Sequence, residues 1–173
     1  EIGTFERVDV RAVSRQNIKL SYDPDTGFFG SEVKGSRYQL TVSEYDRVLL
    51  ISKDGSFRII GAEDKILVPD KLIHAEVFDQ EKGAAFTVVY RDTSKITWGK
   101  KIHIKAFIRD REYELIKDKK GKIDYLIPGD CNDIIQVDYV PMKRQRVHEA
   151  EFDLSILDII GVTARGRGLA PKP

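Results

Sequence analysis

Four lysines, Lys95, Lys100, Lys101 and Lys105, fall in the segment Lys95–Lys105, K-I-T-W-G-K-K-I-H-I-K. Read as a strand, it turns Ile96, Trp98, Lys100, Ile102 and Ile104 to one side and Lys95, Thr97, Gly99, Lys101, His103 and Lys105 to the other. The first side is mainly core, with Lys100 near its exposed part. The second is a cationic stripe whose members stand roughly 7 Å apart, on the scale of the phosphates along one nucleic-acid strand. Two readings of the stripe stand open: a phosphate-contacting surface, or an edge strand whose lysines prevent pairing with other chains. Other cations repeat the theme. Arg15 and Lys19 lie in and just after one candidate turn, and Lys53 and Arg58 belong to another. Arg165 and Arg167 alternate with glycines, which let a backbone approach a phosphate closely. Each says little alone. At equivalent turns of a repeat they would share a rim, and a curved cationic rim can bend a duplex without reading bases. Lys143, Arg144 and Arg146, after Pro141, read as a solvated loop.

Catalytic constellations do not assemble. His74, His103 and His148 lie in separate segments, and Cys131 has no second cysteine with which to build a zinc site. Cys131 also has acidic neighbours, which disfavour the thiolate. Lys34-Gly35-Ser36 lacks the upstream glycine of a phosphate loop, and no Gly-x-Ser-x-Gly elbow occurs. Asp23 and Asp25 are explained by turn chemistry. The sequence therefore predicts no catalytic residue, no metal and no cofactor in this chain.

The elements that must position these cations are strands. Val48–Ile51 and Ser56–Ile60 flank an Asp54-Gly55 turn of the kind that closes tight hairpins. Phe86–Tyr90 with Ile96–Ile104, Tyr125–Ile127 with Ile134–Val140, and Val10–Val13 with Ile18–Tyr22 read as three further hairpins. Ile156–Thr163 is a last strand-like run. Phe28 and Phe29 require the turn-rich stretch from Tyr22 to Gly35 to be ordered, and Lys117–Lys122 reads as a solvated charged tip. The turn cations Arg15, Lys53 and Arg91 are 38 residues apart, and Arg165 follows Arg91 by 74. This predicts a unit of about 75 residues with two hairpins, and hence an all-β, bladed, propeller-like fold with too few units to close a ring.

The chain has 173 residues, which fits one domain over 1–173 with a tail that frays from about Leu169. Its start at Glu1 rather than Met suggests a fragment or processed piece. A single cysteine fits a reducing compartment, and no run of about 18 apolar residues suggests a membrane span. Lys and Arg number 29 against 28 Asp and Glu, so net charge gives no reason to bind nucleic acid. The halves differ, however: residues 1–86 carry 12 basic and 15 acidic residues, and residues 87–173 carry 17 and 13.

Several segments together resemble the C-terminal domain of the A subunit of bacterial type IIA topoisomerases, the DNA gyrase and topoisomerase IV group. They are Asp46–Arg58 (DRVLLISKDGSFR), Phe86–Asp92 (FTVVYRD), Ile108–Leu115 (IRDREYEL), Gly27-Phe28-Phe29-Gly30 with Lys34-Gly35, and Thr163–Gly168 (TARGRG). The resemblance covers roughly the whole chain and rests on the order of these motifs. It implies a β-pinwheel whose blades exchange strands, with DNA along the rim and the catalytic tyrosine outside this chain. It also implies three partners: duplex DNA, the ATPase B subunit, and the remainder of the A subunit. It implies no membrane contact and a cytoplasmic, nucleoid-associated location. ATP and Mg²⁺ would act elsewhere in the holoenzyme. The Gln-Arg-Arg-Gly-Gly-x-Gly box of gyrase is absent, which favours topoisomerase IV over DNA wrapping. The chain length implies about three blades in an open arc. Carried over by approximate position, the rim cations are Arg15, Lys19, Lys53, Arg58, Lys95, Lys100, Lys101, Arg165 and Arg167. Two rival readings are a protein-interaction module without direct DNA contact and a fold retained with reduced DNA contact.

Overall fold

The computed structural model describes residues 17–141 and 143–169. Arg15 and the Val10–Val13 strand of the expected first hairpin lie outside the described residues. Strands dominate. They are β1 (Ile18–Tyr22), β2 (Phe28–Gly30), β3 (Arg37–Val42), β4 (Val48–Ser52), β5 (Ser56–Ile60), β6 (Ile66–Leu67), β7 (Leu72–Val77) and β8 (Ala84–Arg91). There follow β9 (Thr97–Ile104), β10 (Glu112–Glu114), β11 (Lys122–Pro128), β12 (Ile134–Asp138), β13 (Glu149–Asp153), β14 (Ile159–Ile160) and β15 (Arg167–Gly168). One turn of 3₁₀ helix, Leu154–Ile156, is capped by Asp153, whose carboxylate accepts the Ser155 N–H.

The strands form three sheets of one plan. The first has the order β3-β1-β2-β6, the second β10-β5-β4-β7, and the third β11-β8-β9-β14 with β15 also on β9. In each, a central hairpin is flanked on its first strand by a strand of its own unit. The second hairpin strand is flanked by a strand that arrives from the next unit: β6 on β2, β10 on β5, and β14 and β15 on β9. A fourth unit contributes the hairpin β12–β13, a two-stranded sheet. This is an open, strand-exchanged pinwheel of about three blades, as the resemblance implies. The repeating unit is one hairpin, one exchanged strand and one flanking strand, not two hairpins.

Stacking of the sheets explains the apolar run Val48–Ile51, which is buried on both faces. Val48 and Leu50 pack with Leu20, Tyr22 and Phe29 of the first sheet. Leu49 and Ile51 pack with Phe86, Val88 and Ile102 of the third. Val89 turns the other way, to a smaller core with Leu154, Leu157 and Leu169 under the fourth sheet. Each fully buried aliphatic contributes about 1.5–3 kcal/mol, so the sheets are held face to face by their central hairpins.

Two expected elements differ. Tyr125–Ile127 and Ile134–Val140 do not pair with each other: β11 pairs β8, and β12 pairs β13. Exchange overrides the local turn signal, because β11 belongs to the third unit and β12 opens the fourth. Of Ile156–Thr163, only Ile159–Ile160 is strand.

Candidate functional site

Three equivalent hydrogen bonds set the geometry. At or just past the end of an exchanged strand, a buried aliphatic residue donates its N–H to the neighbouring hairpin at its turn. Val68 donates to Gly27 O (3.0 Å), Leu115 to Gly55 O (2.7 Å) and Leu169 to Thr97 O (2.9 Å). The chain then crosses to the next turn. Lys53 N–H donates to Lys71 O, and Ile123 N–H to Lys53 O, both at 2.8 Å. Thr93 N–H donates to Asp118 Oδ2 at 2.7 Å. The hairpin turns of the first three sheets and the crossing segments 68–71 and 115–121 thus make one continuous edge. Gly55 is required there. Its φ is +87°, and a Cβ would stand 2.8 Å from Ile116 Cγ1.

Charge changes along this edge. The first turn carries Asp23 and Asp25 and no cation. At the second turn, Lys53 and Lys71 are matched by Asp54 and Asp70. The next crossing segment brings Lys117, Lys119 and Lys120 against Asp118 alone, and the third turn adds Arg91 and Lys95 against Asp92. All five of these cations are exposed. The turn joining β12 and β13 carries Lys143, Arg144 and Arg146 with no acid, also exposed. The charge difference between the two halves of the chain is therefore a gradient from acidic to basic along successive turns.

Several cations have partners. Arg91 forms a two-pronged pair with Asp124, at 2.6 and 2.7 Å, which raises its pKa. Lys122 pairs with Asp70, whose carboxyl is held below its usual range chiefly by that hydrogen bond. Asp118 is likewise lowered, first by the Thr93 hydroxyl and then by the Thr93 N–H. Asp92 accepts from Ile96 N and Trp98 Nε1 (2.9 Å each), while Arg165 lies 3.5 Å from it and stacks 4.2 Å over the Trp98 ring. A cavity of about 290 Å³ opens between Trp98, Ile116, Lys117 and Arg165.

The residues singled out from sequence separate accordingly. Lys53, Lys95 and Arg165 lie on the turn edge, and Arg167, exposed on β15, lies beside it. Lys19 is exposed on β1 opposite Thr41, at the far end of that strand from its turn. Arg58 faces the exchanged strand β10 and pairs with Glu112 at 2.8 Å.

Lys100 and Lys101 are internal: burial of Lys101 breaks the expected cationic stripe, and Lys100, expected near the exposed part of the core side, lies within it. Lys100 is 1% exposed, and its amine donates to Leu115 O and Val162 O (2.6 Å each) and to Ala164 O (2.9 Å). Burial, with nearby Lys117 adding to it, lowers its pKa to about 8. Lys101 is 5% exposed and bridges Asp130 and the Asn132 side chain (2.9 Å to Oδ1). His103 meets Lys82 O at 2.9 Å. β9 is central rather than an edge, and its faces are covered by the segments around Leu115, Val162–Ala164 and Asp130–Asn132, which its lysines meet. Gly166 likewise serves the fold: a Cβ there would stand 2.4 Å from Gly99 O, and its N–H donates to the Tyr90 hydroxyl.

Sequence reasoning passes over Lys117, Lys119 and Lys120 as a solvated tip and Lys143, Arg144 and Arg146 as a solvated loop. The first group adjoins the third turn through Asp118 and Thr93. The second occupies the hairpin turn of the fourth unit. Treating the exchanged strand as part of the repeat would have found both. Among the described residues no group of three or more His, Cys, Asp or Glu could hold a metal ion, and no helix is long and apolar enough to cross a membrane.

Comparison with known proteins agrees with this architecture. Residues 19–173 match the family described as topoisomerase C-terminal domain, Bacteroidota. The A subunit of DNA topoisomerase 4 from Borreliella burgdorferi is 23% identical over 128 residues, which is 72% of this chain and 20% of that protein. The chain thus spans about a fifth of that relative's length. No solved structure matches it.

Proposed function

The chain belongs to the topoisomerase C-terminal domain family, and on that premise we propose that it is the non-catalytic DNA-holding domain of a topoisomerase IV A subunit. Duplex DNA lies along the basic part of the turn edge, and the domain guides substrate geometry for strand passage. The observation that carries this reading is the stretch of exposed cations at Lys53, Lys95, Lys117, Lys119, Lys120 and Arg165 on one continuous edge. Phosphate contacts of this kind are electrostatic and blind to sequence. The near-neutral chain as a whole makes binding weak and dependent on tethering to the rest of the subunit. ATP and Mg²⁺ act elsewhere in the holoenzyme, whose other component is the ATPase B subunit, in the cytoplasm at the nucleoid.

The test is fluorescence anisotropy with a labelled duplex across a salt series. Each phosphate contact adds about 0.9 to the slope of log affinity against log salt. Several contacts make affinity fall by orders of magnitude between about 50 and 200 mM salt. Replacing both Lys95 and Arg165 with Glu weakens binding to all sequences alike and flattens the slope. Affinity that does not respond to salt overturns the proposal. A second reading, a protein-contacting role, draws on the fourth sheet, whose exposed face is acidic.

A further inference from the structure

Every complete sheet has its second hairpin strand covered by an incoming strand, and β13 is the exception. β2 takes β6, β5 takes β10, and β9 takes β14 and β15, whereas β13 pairs only with β12 among the described residues. No described residue pairs with its outer edge, which presents backbone groups at alternate residues over five positions. We infer that this edge is a docking site for an extended peptide segment with Lys or Arg at alternate positions and apolar residues between them.

The chemistry follows from the two faces of the fourth sheet. The register places Ile134, Gln136 and Asp138 opposite Asp153, Glu151 and Glu149, and all six are exposed. No cationic side chain pairs with Asp138, Glu149 or Glu151 among the described residues; Glu149 takes one hydrogen bond, from Gln136 Nε2 at 3.1 Å. On the opposite face, Ile135 and Phe152 pack onto the core beneath. An incoming strand meets carboxylates on one side and an apolar layer on the other, and its own side chains alternate to match.

One filled slot shows a charge match of this kind: Arg58 of β5 meets Glu112 of the incoming β10, at 2.8 Å. Each receiving strand also presents an aromatic ring that the incoming segment covers. Lys65 lies 4.2 Å over Phe28, Tyr113 stacks on Phe57 at 5.1 Å, and Arg165 lies 4.2 Å over Trp98. On β13 the place just after the turn holds Glu149 and Ala150, and the ring of Phe152 lies further along the strand, on the core beneath.

The test uses the 173-residue chain without DNA and a seven-residue synthetic peptide of alternating lysine and valine. Hydrogen exchange read by mass spectrometry slows at residues 149–153 by about tenfold or more near saturation. A glutamate–valine peptide, or a lysine–valine peptide with N-methylated alternate amides, leaves exchange unchanged. In the double variant Glu149→Lys/Glu151→Lys the preference reverses to the glutamate peptide. Three outcomes overturn the inference: no protection at 149–153, equal protection by both charge types, or protection spread over the whole chain. Residues 149–153 already protected without peptide overturn it as well. Protection that grows with protein concentration then identifies a second copy as occupant, and protection lost on deleting residues 1–16 identifies the chain's own segment.

Discussion

Replacing Lys100 with Met separates a structural amine from a phosphate contact. The amine donates to three carbonyls, those of Leu115, Val162 and Ala164, and so joins the crossing segment after β10 to the segment that delivers β15. Three carbonyls left without their donor cost about 2 kcal/mol each, within the usual range for unsatisfied buried groups. Against this stands the desolvation of the ammonium. A pKa lowered from 10.5 to about 8 corresponds to roughly 3 kcal/mol. The expected net loss is about 3 kcal/mol, or a fall in melting temperature of roughly 6–12 °C for a chain of this size. Urea unfolding followed by circular dichroism measures the first, and a thermal scan the second. The salt dependence of DNA binding, measured below the melting range, stays as steep as in the parent. A Lys100→Met chain that is fully stable but loses about one phosphate contact from its salt slope would refute the assignment and return Lys100 to the surface.

The same pair of proteins carries a pH test. The unfolded Lys100 titrates near 10.5 and the folded one near 8. Below pH 8 both states are protonated and the stability difference from Lys100→Met is flat. Between pH 8 and 10.5 the folded state has released the proton and the unfolded state keeps it, so the parent gains on the variant by at most about 3 kcal/mol. A difference that shrinks over this window contradicts the burial argument. Gly55→Ala meets both a positive φ and Ile116, and is expected to cost about 2–3 kcal/mol, whereas Gly129→Ala, with φ of +84° and no neighbour within 4 Å, costs about 1 kcal/mol for the backbone alone. Equal losses in urea unfolding would show that Ile116 is not packed against the turn. Asp118 has its carboxyl lowered by Thr93, so its ties to the third turn hold above the ordinary carboxylate range and fail as pH falls through its depressed folded value. The protection of the Thr93 amide, corrected for the intrinsic exchange rate, should fall only below the ordinary carboxylate range, and Asp118→Asn should show the lower protection already at neutral pH.

Local patterns carry the central hairpins. Val48–Ile51 and Ser56–Ile60 around Asp54-Gly55 pair as the turn chemistry requires, and Phe86–Tyr90 pairs with the lysine-bearing strand. What periodicity does not carry is partnership at long range. β6, β10 and β15 are two or three residues each, too short for any alternation, and each is a strand only because a waiting edge from the preceding unit accepts it. For the same reason the 38-residue spacing of cations misleads the choice of unit. Arg91 ends β8 and Lys53 sits in a hairpin turn, but the turn of the first sheet is Asp23–Gly27, which carries acids instead. Lys101 is misread because alternation reports which side of a strand a residue occupies, not what lies against that side, and Lys100, which alternation puts on the core side, is misread as a rim cation by approximate carry-over from the family. A lysine facing three backbone carbonyls and a lysine facing water look alike in sequence.

The exchanged strands also constrain how such a chain can lengthen or shorten over evolutionary time. The bonds from Val68 to Gly27, Leu115 to Gly55 and Leu169 to Thr97 are the same joint made three times. An in-frame deletion of one whole unit, for example 48 to 83, would bring the strand around 112–114 to the edge vacated on β2, and the joint would close again. A deletion of half a unit would leave one sheet missing a side and another strand without a host. Arc length can therefore drift in whole steps while the seam between blades is conserved, and the acidic or basic character of each turn can change independently of the joint that holds it.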